Sequence, residues 1–442
     1  MLETLRNAWR VTELRKKILF TVLIIFLFRL GSIIPVPFID VANLKTALDI
    51  GGSGGEFFSY LNILTGGAMD YAALFAMSVT PYINASIIMQ LLTVAIPPLE
   101  RLAKEGEEGQ KKIATYTRFA TIVLALIQGI AFYIYLLNGG ENGTPLVKPI
   151  GASAGYVNTL GFNIFAGVVI VLCFTAGSAL MMWMGERIDE KGVGNGISIL
   201  LFAGIISRLP SGIAALWGYW QAENYFAAVG IVILMLAVVV FIVFMTAAEH
   251  RIPIQYAKRV VGRKQYGGQN THMPIKVNMS GVMPIIFASS ILSIPSTILA
   301  FMGQTSYESL WYRLLSLVNY RSLFYALIYF LMIIGFAYFY KSIQYNPVEM
   351  ANNLRKNSGA IPGIRPGKPT VEYLAKILSK VTLIGALFLG VVAVLPIVLG
   401  TATGVNFTLG GTSVLIVVGV ALDTVQQLES QMLMRHYKGF LD

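Results

Sequence analysis

The chain has 442 residues, of which 56% are hydrophobic and only 12% charged, with a net charge of +11. A charged share about half that of ordinary globular domains excludes a soluble enzyme or binding module. The apolar runs are continuous rather than alternating over ~10-residue strands, which excludes a membrane β-barrel and leaves an all-α polytopic chain.

In chain order, the first apolar run starts at Ile18 behind Arg15, Lys16 and Lys17. It has the layout of a secretory leader, but Arg29 interrupts it and Pro35-Val-Pro37 follows without a small-residue cleavage site. A retained span is therefore expected. Next, Phe57, Phe58, Leu61 and Leu64 mark one face of a short helix that Gly66 and Gly67 close. Its nine residues reach ~14 Å, far short of the ~30 Å hydrocarbon core. Such a segment is expected to dip inward and turn back, and that backbone needs a cavity around it.

Spans are predicted over residues 18–36, 71–96, 113–137, 161–184, 196–216, 225–247, 282–302, 323–345, 376–400 and 412–432, about ten in all. Arg208, Pro210 and Gly212 weaken the fifth. The lone Cys173 lies in the fourth and reads as a buried structural thiol with no disulfide. Of the 33 Lys and Arg, about 27 fall on the side of the N-terminus. Lys45, Lys148, Arg313 and Arg321 lie opposite, and Arg29 and Arg208 lie within spans, so both termini are expected to be cytoplasmic. Ten spans divide into two fives, residues 1–220 and 221–442. An odd number per half gives repeats of opposite orientation, with the working site at their interface. Pro81 in SVTPYINASII and Pro284 in GVMPIIFASSI are a weak echo of such a repeat.

Two cytoplasmic loops are longer than a helix connection needs. Residues 249–280 carry Arg251, Lys258, Arg259, Arg263, Lys264 and Lys276 on an alternation that predicts a β-hairpin-like finger. Residues 345–375 carry Arg355, Lys356, Arg365 and Lys368 in a Pro/Gly-rich setting. Loops that merely fix topology would explain the charge. Tyr256, Tyr266, Met273 and Ile364 among the charges point further, to docking surfaces for rRNA phosphates or an acidic protein face.

Catalytic signatures are missing. His250, His272 and His436 lie in loops or the tail, and Gly192-x-Gly194-x-Gly196 follows no strand, so it reads as a tight turn rather than a nucleotide loop. No enzyme activity, cofactor or metal is expected. A small-solute secondary transporter on an inverted-repeat fold is the alternative reading, and the scarcity of charges within the spans counts against it.

The motifs FRLGSIIPVP, TGGAM, TPYINASIIMQLL, KEGEEGQKKIATYTR, MWMGERI and GVGNGISILLFAGI are followed by YAKRVVGRKQYGGQNTHMPIKVNMSGVMPIIFASSI, NPVEMANNLRKNSGAIPGIRPGKPT and GGTSVLIVVGVALD. In these motifs the chain resembles the SecY family of protein-conducting channel subunits over most of its length; residues 138–160 and 303–322 carry little of the likeness. The resemblance implies two inverted five-helix halves around an hourglass pore. A ring of Val79, Ile83, Ile197, Leu201, Ile286 and Ile416 would seal its waist. Val79 and Leu201 replace the isoleucine common in the family, which implies a slightly looser gasket. The resemblance places a plug at Phe57 to Asp70. It places a lateral gate between spans two and three and spans seven and eight, with Asn84, Gln128 and Ile294 there. Lys258, Arg259, Arg263, Lys264, Arg355, Lys356 and Arg365 match docking positions for the ribosome and the SecA ATPase motor. The implied function is movement of signal-sequence-bearing polypeptides across the bacterial plasma membrane, with lateral release of hydrophobic segments into lipid. The implied partners are the small membrane subunits SecE and SecG, SecA, the ribosome, signal peptides, translocating polypeptides and membrane lipids.

Overall fold

The computed structural model describes residues 9–44, 62, 65–137, 146–149, 160–223, 225–256, 259–261, 264–266, 270–302, 322–403 and 411–438. Its helices up to the first strand are α1 (Thr12–Gly31), α2 (Thr80–Ala95), α3 (Pro97–Lys104), α4 (Glu107–Leu137), α5 (Leu160–Lys191), α6 (Gly196–Ile206), α7 (Leu209–Gln221) and α8 (Tyr225–Ala247). Strands β1 (Glu249–Tyr256), β2 (Arg259–Val261), β3 (Lys264–Tyr266) and β4 (Asn270–Lys276) follow. The remainder is α9 (Met283–Met302), α10 (Leu323–Gln344), α11 (Pro347–Lys356), β5 (Gly359–Ala360), α12 (Lys368–Thr403) and α13 (Gly411–Lys438).

Every predicted apolar run contains a helix. Among the described residues, seven helices are long and apolar enough to cross a membrane, or eight if the bent pair α2–α3 counts as one span. The bend of 101° falls at Ile96, where Pro97 and Pro98 follow and stop α2 from continuing. The start of α1 carries Glu13, Arg15, Lys16 and Lys17, and α9 offers a shorter apolar stretch, Met283–Leu292. The fifth predicted span breaks at Ser207-Arg208 into α6 and α7, with Pro210 in the first turn of α7. Outward faces stay apolar: only 11% of the apolar stretch of α8 is buried, and Phe226, Val240 and Phe244 are largely exposed. Surface of that kind needs lipid, so this is a multi-pass membrane protein.

One prediction needs correction. The second span was expected over residues 71–96, but helix begins only at Thr80, and residues 68–79 form a chain of turns. Ala72 and Ser78 adopt positive φ (43° and 53°), and short-range bonds run from Ala72 N to Met69 O, Ala76 N to Ala73 O and Ser78 N to Phe75 O. The segment also takes part in an extended bridge: Val36 N donates to Ala72 O and Leu74 N to Ile34 O, both at 3.0 Å. An apolar run alone does not separate buried irregular backbone from helix. Here the small residues Ala68, Ala72, Ala73 and Ala76 are all fully buried and let neighbouring helices close over the backbone. The closest approach is at Gly177 of α5, where a Cβ would lie 1.9 Å from Leu74 O.

The two long basic loops form one unit rather than two. β1 pairs antiparallel with β4 (Ile252 opposite Met273, Ile254 opposite Thr271), which is the expected finger, and β2 pairs with β3. The second loop contains α11, capped by Asn346 Oδ1 accepting from Val348 N at 3.1 Å. It also contributes β5, which pairs with β1 through Gln255–Ala360 and Tyr256–Gly359. Ile252, Ile254, Ile275, Leu354, Ile361, Leu374 and Leu378 fill the core of this unit, so it is tied to the start of α12. In the loop after α1, burial pushes the Asp40 carboxyl up. The Lys148 ammonium, 2.8 Å away, and Asn43 more than offset this and leave it below the ordinary carboxylate range.

Replacing Gly177 by Ala is expected to cost about 1–3 kcal/mol through overpacking against Leu74. Gly230→Ala, where a Cβ meets nothing within 4 Å, serves as the control. Thermal unfolding in detergent should show a lower Tm for the first and none for the second.

Candidate functional site

The buried segment delivers the chain to Val79, the residue before α2. Pro81 fits the first turn of α2, where its missing N–H is no loss. Ile83 N donates to Val79 O at 3.0 Å, so these two side chains stand one turn apart on one face. On the other side, Asn195 caps α6 by accepting from Ser198 N at 3.0 Å, and Asp189 Oδ1 accepts from Gly196 N at 2.7 Å. The run Gly192-x-Gly194-x-Gly196 is the tight turn expected: Gly194 has φ +79°, and a Cβ on Gly196 would lie 2.0 Å from Gly185 O. This turn sets Ile197 and Leu201 against α5. Ile286 comes from α9 and Ile416 from α13, where a Cβ on Gly419 would lie 2.9 Å from Val282 Cγ1, just before α9.

All six predicted ring residues belong to the largest apolar cluster, which draws on nine helices, Ile197 packed against it and the others buried within it. None of Val79, Ile83, Leu201, Ile286 and Ile416 exposes more than 8% of its surface, so packing at these side chains is shut to water. A narrow aliphatic contact of this type offers ions nothing in place of their hydration shell.

Of the predicted plug, Phe57, Phe58, Leu61 and Leu64 lie outside the described residues. Gly66 and Gly67 are described, and both have positive φ (68° and 91°), a conformation that suits glycine. Here the two arginines within spans find partners. Arg29 Nη1 of α1 donates to Gly66 O at 3.4 Å, and Ser207 Oγ, at the α6–α7 break, lies 3.3 Å from the same oxygen. The Arg208 guanidinium lies 3.5 Å from Asp70 Oδ2, and Asn62 Nδ2 donates to Asp70 Oδ1. Intramembrane charges are expected to face the interior and pair, and these do. Ser207 was missed from sequence; its place beside Arg208 in a broken span was the available signal.

Of the predicted gate residues, Asn84 on α2 and Gln128 on α4 are half-buried, while Ile294 on α9 is exposed. Helix α9 packs on both α2 and α4, which brings the three residues' helices together. Two gate-side residues were missed. Tyr340 Oη of α10 donates to Gln90 Oε1 of α2 at 2.9 Å. Gln90 stood out only as an amide within an apolar run.

Of the basic positions, Arg355, Lys356 and Arg365 are exposed, the first two in the last turn of α11. The pairing of β1 with β5 carries them onto the same unit as the finger. Arg259 and Lys264 lie on β2 and β3, opposite Tyr266 and Val261. Lys258 and Arg263 lie outside the described residues.

The family model for SecY matches residues 73–425. The chain belongs to the SecY family. It is 42% identical to the protein translocase subunit SecY of Streptomyces coelicolor over 445 residues, covering all of both chains. Among solved structures, a protein-conducting channel matches 95% of this chain and 92% of its own, with a TM-score of 0.65 at 17% identity. Sec61 in the canine ribosome-channel complex from the endoplasmic reticulum matches 95% and 92%, with a TM-score of 0.59 at 16% identity. These two likenesses show the fold of protein-conducting channels here.

Gly66→Ala would set a Cβ 2.4 Å from Ser207 Oγ and 2.5 Å from Gly204 O, whereas at Gly67 the nearest neighbour is 3.8 Å away. The first is expected to cost about 2–4 kcal/mol and the second about 1 kcal/mol from backbone strain alone. Unfolding of the two variants in detergent checks the order.

Proposed function

We propose that this chain is the central subunit of a passive protein-conducting channel in the bacterial plasma membrane. It moves signal-sequence-bearing polypeptides across the membrane and releases hydrophobic segments sideways into lipid. The observation that carries the reading is that Val79, Ile83, Ile197, Leu201, Ile286 and Ile416 all fall within one packed apolar cluster, in a chain that belongs to the SecY family. These residues come from both sides of residue 220, in keeping with two halves, 1–220 and 221–442, around a waist. An aliphatic ring imposes no side-chain preference on a passing polypeptide and yields without breaking hydrogen bonds. A signal with an apolar core gains ~25 cal/mol per Å² by leaving water for the seam between α2–α4 and α9–α10.

The chain acts without chemistry of its own, and the driving energy comes from partners. The cytoplasmic unit, with Arg355, Lys356 and Arg365 exposed, supports docking of a SecA-type ATPase motor and of the ribosome. The outward apolar faces, α8 above all, suit lipid and the small subunits SecE and SecG. Both termini are cytoplasmic in this reading, on the side of the basic unit.

Reconstitution tests it. Vesicles holding this chain with its small partners should take up a signal-bearing precursor when the motor and ATP are added. A precursor left outside while a small solute accumulates would overturn the channel reading. Arg365→Glu is expected to lower motor-driven export about ten-fold or more through like-charge repulsion at the dock, with little effect on insertion of the variant chain itself. Export assays on equal amounts of inserted protein check this.

A further inference from the structure

Ser78 stands one residue before Val79 and combines two local costs. Its φ is +53°, in the left-handed region that glycine adopts freely and that strains a residue carrying a Cβ. Its hydroxyl is buried, with the residue 2% exposed, and has no hydrogen-bond partner among the described residues. The turn is closed by Ser78 N donating to Phe75 O at 2.9 Å. Upstream, Ala72, Ala73, Leu74, Ala76 and Met77 are good helix formers, so the segment's own preference is to extend α2 backwards. Three features hold it otherwise. Ala72 O and Leu74 N are bonded to Val36 N and Ile34 O. The Phe75 ring lies on Gly31 of α1, where a Cβ would stand 2.0 Å from Phe75 Cε2. Pro81, in the first turn of α2, has no N–H for the Met77 carbonyl and its ring would clash with it in a continued helix.

We infer that Ser78 is a positioning residue for the ring: its left-handed turn, kept by Pro81, starts α2 where Val79 and Ile83 reach the apolar cluster. The inference rests on the reading of that cluster as the channel's constriction. The chain up to Met77 is fixed against α1 and α5, so a change of φ at Ser78 swings α2 rather than the segment. Val79 and Ile83, one turn apart on α2, would leave the cluster together. Relaxation to a helical φ would relieve the backbone at Ser78, and Pro81 closes that route because α2 cannot grow back through it. The ring is therefore set by backbone at one residue as well as by the packing of its side chains.

The test uses the full chain with its small partners in proteoliposomes, carrying Cys173→Ala and Val79→Cys so that a water-soluble maleimide reports that position alone. Val79 is 1% exposed, so this parent should label slowly. Ser78→Gly keeps the turn and should label at the parent rate. Ser78→Val, whose branched side chain does not tolerate positive φ, and Pro81→Ala, which lifts the bar to helix growth, should each label about three- to ten-fold faster. Adding Ser78→Gly to Pro81→Ala should restore the parent rate, because glycine favours the turn over helix. A purely structural role would shift Tm in these variants and leave labelling unchanged. Parent-rate labelling in Ser78→Val or Pro81→Ala, fast labelling in Ser78→Gly, or no return in the double variant overturns the inference. If Ser78→Val fails to insert, Pro81→Ala with and without Ser78→Gly decides. The ring reading is tested separately by Ile83→Gly with Ile286→Gly, which should raise resting ion conductance in planar bilayers. Unchanged conductance there overturns the ring, and the role of Ser78 with it.

Discussion

Backbone polar groups without partners cannot face hydrocarbon, and the rest of this structure follows from how residues 68–79 meet that constraint. The segment is neither helix nor sheet, yet apart from the exposed Tyr71 it is largely buried among α1, α4 and α5. Its hydrogen bonds go to its own turns and to residues 34 and 36. Close cover requires small residues on both sides, which explains the alanines within the segment and Gly177 facing it. A helix bundle that must enclose such a segment cannot close on itself in the ordinary way. Its apolar cluster gathers instead from α1, α2, α5, α6, α8, α9, α10, α12 and α13.

Charge inside the membrane is used sparingly and locally. Arg29 and Arg208 both turn to the Gly66–Asp70 stretch, one reaching its carbonyl and the other its carboxylate. Neither lies within the aliphatic ring, where an ion would favour wetting. Ten of the other Lys and Arg lie in residues 249–280 and 345–375, two loops that the β1–β5 pairing joins into one unit.

Much of this was legible in the sequence. Each apolar run contains a helix because ~20 apolar residues allow little else in a membrane, and the Gly192–Gly196 turn followed from glycines at a break. The finger was readable from its alternation around Ile252 and Ile254. Residues 71–79 were misread because hydropathy reports burial, and burial there is provided by irregular backbone rather than a helix. The union of the two loops was hidden because β5 is two residues long and pairs 105 positions away, from Gln255 to Ala360, with no local signal. Arg29 was visible as an anomaly, but its partner at Gly66 is a carbonyl, which no side-chain pattern reveals. The ring residues came from the family resemblance. No spacing rule would have selected Ile286 and Ile416 from their apolar neighbours.

The most direct test of the central claim, that polypeptides pass through the packed aliphatic cluster, is site-specific photocrosslinking to a precursor stalled in mid-transit. Photoreactive residues would stand at Leu201 and Ile286 within the cluster and at Phe244 on the outward face of α8. The cluster positions are expected to crosslink to the stalled chain and Phe244 to lipid alone. Crosslinks at Phe244 with none at Leu201 or Ile286 would contradict passage through the ring.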